Sequence, residues 1–123
     1  MRQVLIIDDD TSSREVFRQV LKTVGFEAVE AADGETAIQL LNQYAPNLIL
    51  LDLRLPRVSG TEILRYIYEQ PHLVSTRVIV ATAHQGMSAS ITLRSGDTYL
   101  VKPISASLLR ETALNSIGGI PTA

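Results

Sequence analysis

The stretch Val4-Leu5-Ile6-Ile7-Asp8-Asp9-Asp10 decides the fold. Four consecutive branched apolar residues are too few for a helix and suit a strand buried on both faces. The run then stops at three acids. A buried strand ending in carboxylates delivers them to its C-terminal edge, where open α/β sheets place ligands and chemistry. Leu48-Ile49-Leu50-Leu51 followed by Asp52 repeats the pattern. Further strands are expected at Glu27–Ala31, Val78–Ala81 and Tyr99–Val101.

Helical patterns fill the intervals. After the first strand, Val16, Phe17, Val20, Leu21 and Val24 share a face, Ser12 and Glu15 have capping-box spacing, and Gly25 stands where a helix stops. The second helix is expected from Asp33, turning Ala37, Ile38 and Leu41 inward and ending before Pro46. The third starts at Ser59, buries Ile63, Leu64 and Ile67, and stops before Pro71; the last runs from about Ser105 to Ser116. Strands and helices alternate through five βα units. That argues for an α/β protein with a doubly wound, five-stranded parallel sheet between two helical layers. One segment breaks the rule. Met87, Ala89, Ile91 and Leu93 alternate with polar residues, a period of 2 where a crossover helix belongs. A short or irregular helix is expected there.

Composition narrows the function. The chain has 123 residues, 46% hydrophobic and 20% charged, which suits one globular domain. Eleven basic against thirteen acidic residues give a net charge of -2. No basic run is present to hold a nucleic-acid backbone. The absence of cysteine removes disulfides, zinc–thiolate sites and thiol nucleophiles. No apolar run approaches the ~18 residues of a membrane span, and the N-terminus does not read as a signal peptide. A soluble cytoplasmic protein is the expectation.

The chemistry lies at the strand ends. Clustered carboxylates repel, so a bound cation best explains them. Mg²⁺ takes oxygen ligands and shares them with phosphate oxygens. Asp52 beside such a platform can act as an oxygen nucleophile toward a phosphoryl group. Thr82, after Val78–Ala81, offers a hydroxyl, and Lys102, after Tyr99–Val101, offers a flexible ammonium. Each feature alone has a bland reading as a solvated loop, a helix cap or a surface lysine. Their company in one chain argues against it.

Together these residues resemble the receiver domain of two-component response regulators. The matching motifs are Val4–Asp10, then Leu50-Leu51-Asp52-Leu53-Arg54-Leu55-Pro56 with Gly60, then Val80-Ala81-Thr82-Ala83, then Tyr99-Leu100-Val101-Lys102-Pro103. The resemblance implies a flavodoxin-like (βα)5 fold, with a receiver domain over 1–117 and a tail or linker start at 118–123. It implies that Asp52 is the phosphoacceptor. Asp8, Asp9, Asp52 and the backbone carbonyl of Arg54 would form the Mg²⁺ site, Asp8 mainly through water. Lys102 would pair with phosphoryl oxygens, Thr82 would sense them, and Tyr99 would be an aromatic switch. The Lys102-Pro103 bond is expected to be cis. The donor would be a histidine kinase or phosphotransfer protein. The output would be an effector protein or an output domain beyond this chain. Arg54 and His84, two residues beyond Asp52 and Thr82, are expected to influence aspartyl-phosphate lifetime. The interval from Thr82 to Lys102 is shorter than usual in the family.

Two other readings remain beside it. One is a pseudo-receiver that binds partners without phosphorylation. The other is an aspartyl-nucleophile phosphatase, suggested by Asp8-Asp9-Asp10-Thr11 but short for that fold.

Overall fold

The structure, a computed structural model, describes residues 2–83 and 91–118. Its elements are β1 (Arg2–Ile7), α1 (Thr11–Lys22), β2 (Phe26–Ala31), α2 (Gly34–Leu41), β3 (Leu48–Asp52), α3 (Gly60–Glu69), a 3-10 turn (Pro71–Leu73), β4 (Arg77–Thr82), β5 (Thr98–Val101) and α4 (Ala106–Ser116). All strand pairs are parallel, in the order β2-β1-β3-β4-β5. The chain winds outward from β1 to β2, then returns across β1 to β3. That reversal is the topological switch point, and it sets the ends of β1 and β3 side by side.

The alternation of a strand divides the core in two. Leu5, Ile7, Ile49, Leu51, Val78 and Val80 face α2 and α3, where they meet Ala37, Leu41, Ile63, Leu64 and Ile67. Val4, Ile6, Leu48, Leu50, Ile79 and Ala81 face α1 and α4, against Phe17, Leu21, Leu109 and Ala113. Each fully buried Leu or Ile contributes roughly 1.5–3 kcal/mol of transfer free energy. This double burial explains why β1 and β3 read as unbroken apolar runs.

Three local expectations need correction. The cap of α1 is Asp10, not Ser12: the Ser13 N–H donates to Asp10 Oδ2 at 3.0 Å and its hydroxyl at 2.7 Å. A carboxylate is a strong N-cap and also suits the positive end of the helix dipole. Val16 is 57% exposed. It lies at the margin of the α1 stripe, over a groove shared with Phe17, Ala83, Pro103 and Ile104. Every strand also extends one or two residues beyond its expected span, since pairing continues past the positions the apolar pattern marks. The crossover before β5, where a short or irregular helix is expected, is described only over residues 91–97. Four α-helices occur among the described residues, and residues 91–97 hold none. Residues 84–90, including His84 and the start of the period-2 segment, lie outside the described residues. Ile91 and Leu93 nevertheless pack on the α2/α3 side of the sheet, where a crossover helix would sit.

Gly60 fixes how α3 meets the sheet. Its N–H donates to Leu53 O at 3.1 Å. A β-carbon there would fall on Leu53 Cα and 2.6 Å from Asp52 O, so the first turn of α3 rides directly on the end of β3. Gly25, with φ +90, takes the left-handed conformation that ends α1. Among the described residues no helix is long and apolar enough to cross a membrane.

Candidate functional site

The ends of β1, β3 and β5 converge on one cleft. Asp8, Asp9 and Asp52 each present a carboxylate oxygen, and the three lie within 4.8 Å of one another. Asp8 and Asp52 are buried and Asp9 is exposed. Lys102, from the end of β5, bridges the two buried acids: its Nζ lies 3.1 Å from Asp8 Oδ2 and 3.2 Å from Asp52 Oδ2. The remaining oxygens are held by the backbone. Asp10 N–H donates to Asp8 Oδ1 at 2.9 Å, and Arg54 N–H donates to Asp52 Oδ1 at 3.0 Å. Asp10, Ser13, Arg54 and Ala83 complete a cleft of about 440 Å³.

Three carboxylates against one ammonium leave two negative charges uncompensated within the cluster. That donor set fits a hard divalent cation with oxygen ligands. The titration of the groups reflects the imbalance. Burial raises the Asp52 carboxyl above its usual range. The Arg54 N–H and the Lys102 charge pull it down, but together with the neighbouring Asp8 charge burial prevails. Burial alone would lower Lys102; the bonds and charges of Asp8 and Asp52 outweigh it and hold the ammonium above its usual value. Both partners of one ion pair thus move up, because the lysine answers to two acids while Asp52 answers to one lysine and a dry site. Lys102 also lies 5.9 Å from the Phe17 ring centroid, an apolar wall behind the ammonium.

The other expected residues sit apart from the cleft lining. Thr82 is the last residue of β4, fully buried, and its carbonyl accepts the Lys102 N–H at 2.7 Å. Tyr99 pairs in register with Val80 in β5 and packs, half-buried, on the α2/α3 side. The Lys102-Pro103 bond is cis. Sequence reasoning missed Arg14, whose side chain is only 13% exposed and which donates to Asp8 O at 2.7 Å. It also missed the Arg94–Asp97 pair at the opposite edge. Neither has a local pattern; both depend on what the sheet brings near.

The response regulator receiver domain family model matches residues 4–114, and the chain belongs to that family. It is 30% identical over 119 residues to the polar-differentiation response regulator DivK of Brucella anthropi, covering 95% of this chain and 97% of that relative. Among solved structures, the signal receiver domain of a LuxO repressor protein from Vibrio parahaemolyticus is 32% identical, with TM-score 0.82, covering 94% of this chain and 91% of the other. A Thermotoga maritima response regulator, TrrA, solved in complex with Mg²⁺-BeF, is 26% identical, with TM-score 0.85, covering 94% and 99%. The chain is therefore a receiver domain of two-component signalling, a signalling module rather than a conventional enzyme, with the flavodoxin-like sheet described above.

Proposed function

We propose that Asp52 accepts a phosphoryl group from the phosphohistidine of a histidine kinase or phosphotransfer protein. What carries this reading is the Lys102 ammonium bridging Asp8 and Asp52 inside a carboxylate cluster at the switch point of the sheet. An Asp52 oxygen forms the new bond to phosphorus while the phosphorus–nitrogen bond breaks and imidazole leaves. Water later hydrolyses the acyl phosphate. Asp8, Asp9, Asp52 and the Arg54 carbonyl would hold Mg²⁺. When bound, the ion offsets the repulsion between the acids and the incoming phosphoryl oxygens.

Lys102 moves from its bridge to pair with a phosphoryl oxygen. Thr82 turns its hydroxyl toward the phosphoryl group, and Tyr99 changes rotamer in response. The modification adds roughly -1.5 to -2 charge, which biases a partner-binding surface between two states. Arg54 at the rim influences how long the acyl phosphate lasts; an Arg54→Ala protein with an unchanged dephosphorylation rate would remove it from the scheme. The reader of the signal is an effector protein or an attached output domain, and a cytoplasmic setting fits the exchange.

Intact mass after acetyl phosphate and Mg²⁺ tests the reading. The native chain is expected to gain a single phosphoryl group and Asp52→Asn none. Equal labelling of both, or none of the native chain, would defeat it.

A further inference from the structure

Arg14 lies outside the carboxylate cluster, yet it closes a ring around the peptide that leads into it. The Asp8 N–H donates to Ala31 O at the end of β2, at 3.1 Å. The Asp8 carbonyl accepts from Arg14 NH1 at 2.7 Å. Arg14 Nε donates to Glu30 Oε1 at 3.0 Å, and Glu30 is the residue before Ala31. A further bond, from Arg14 NH2 to Thr11 Oγ1 at 3.3 Å, fixes the guanidinium against the first turn of α1. Both sides of the Asp8 peptide are thus anchored to the edge strand β2, one by backbone and one through a charged fork.

Asp9 depends on this anchorage. It is exposed and sits two residues past the end of β1, beyond the paired register of the strand. Its carboxylate meets the other two only if the Asp8–Asp9 peptide keeps its orientation. The plane of that peptide is set by the Asp8 carbonyl, the atom Arg14 grips.

We infer that Arg14 is a positioning residue for the divalent-cation site: it holds the Asp8 carbonyl so that Asp9 and Asp8 present their carboxylates together with Asp52. This rests on the reading of the cluster as a cation site given above. It also carries a sign that separates it from simple electrostatics. Arg14 is a cation near an acidic pocket. If it acted only through its field, removing it would tighten cation binding. A positioning role demands the reverse.

Mn²⁺, which shares the octahedral oxygen preference of Mg²⁺, is the probe, with free ion followed by electron paramagnetic resonance. Arg14→Gln is expected to weaken Mn²⁺ binding by about 10- to 100-fold, as loss of a group that orients metal ligands commonly does. Arg14→Lys keeps the charge, but a single ammonium cannot span the Asp8 carbonyl and Glu30 as the fork does; it is expected to show a smaller loss in the same direction. Arg18→Gln is the control. Arg18 also pairs with Glu30, at 3.1 Å, but its side chain is 47% exposed. Its loss is expected to leave binding unchanged or slightly tighter. In acetyl phosphate labelling, the Arg14 variants are expected to need more Mg²⁺ while approaching the native rate at saturation. Mn²⁺ affinity in Arg14→Lys equal to native, with equal or tighter binding in any folded Arg14→Gln, overturns the inference. Failure of the native chain to bind Mn²⁺ or to label at Asp52 instead defeats the underlying site reading.

Discussion

Asp97→Ala removes a buried carboxylate from the edge of the sheet opposite the cleft. The Asp97 side chain is 0% exposed. It accepts the Val78 N–H at 2.9 Å and the Tyr68 hydroxyl at 2.7 Å, and it pairs with Arg94 Nε at 3.3 Å and Arg77 NH1 at 3.9 Å. Arg94 in turn donates to Thr76 O at 2.7 Å and lies 4.3 Å over the Tyr68 ring. The network fastens the segment before β5 to the starts of β4 and the end of α3. Truncation leaves the Val78 N–H without its acceptor, at about 1–3 kcal/mol. It also breaks an ion pair, which costs about 3–5 kcal/mol when both partners are deeply buried. Arg94 and Arg77 are 23% and 27% exposed and can recover water, so the ion pair falls below that range, to about 1 kcal/mol added to the cost at Val78. A net loss of about 3 kcal/mol follows, or a fall in Tm of about 12 °C at roughly 4 °C per kcal/mol for a chain of this length.

Urea unfolding followed by far-UV circular dichroism measures it, with m held common between variants. Asp97→Asn keeps an acceptor for Val78 and loses only the charge, so it is expected to cost about half as much. The cycle of Asp97→Ala with Arg94→Met is expected to show coupling of about 1–3 kcal/mol. A loss below about 1 kcal/mol for Asp97→Ala, or Asn as damaging as Ala, would refute the reasoning. Labelling of Asp52 in the folded fraction is expected to persist, because the clamp stands at the far end of β4.

Gly60→Ala forces a β-carbon onto the Leu53 backbone and 2.6 Å from Asp52 O, atoms that cannot swing aside as a side chain would. A destabilisation of about 3 kcal/mol or more in urea is expected, together with slower labelling of Asp52. Asp52→Asn is expected to stabilise the fold at neutral pH. Burial raises the Asp52 carboxyl in the native state, so its contribution to stability is fully present below the unfolded value of 3.8 and is lost as pH rises through the higher native value. The advantage of the variant in Tm should therefore shrink as pH falls through that window. Arg57→Gly relieves a left-handed residue at φ 65. The relief of about 1–2 kcal/mol, reduced by the entropy of glycine, leaves a net gain of about 0.5 kcal/mol, readable as a small rise in urea midpoint.

What could be read from the sequence was whatever a strand or helix announces locally. Val4–Asp10 and Leu48–Asp52 declare two buried strands and their acidic ends within a few residues, and the parallel sheet then fixes that those ends meet. Lys102 was legible for the same reason. Arg14 was not, because its value depends on the register that sets Glu30 and Ala31 of β2 beside the end of β1. Arg94 and Asp97 carry no marker in the sequence, since their partners Tyr68, Thr76 and Val78 come from elsewhere in the chain. The cap of α1 was misplaced by two residues because Asp10, Ser12 and Ser13 are all competent caps; only the path of the chain out of β1 chooses among them.

Asp97 and Asp52, with buried carboxylates at opposite edges of the sheet, show why residue type alone does not mark a site. Asp97 is saturated: backbone N–H, phenol and guanidinium all donate to it. Its negative charge is spent on holding β5 to β4, and little is left for a ligand. Asp52 has one backbone donor and a share of one lysine, in a dry setting with Asp8 and Asp9 close by. Its ionised form is therefore the costly one, and anything that brings positive charge or consumes the carboxylate relieves that cost. Protonation, a divalent cation and conversion to an acyl phosphate are three such reliefs. By how many donors it supplies, the fold leaves one aspartate saturated and the other short of positive partners, and the latter stands at the switch point of the sheet, where β1 and β3 bring their ends together.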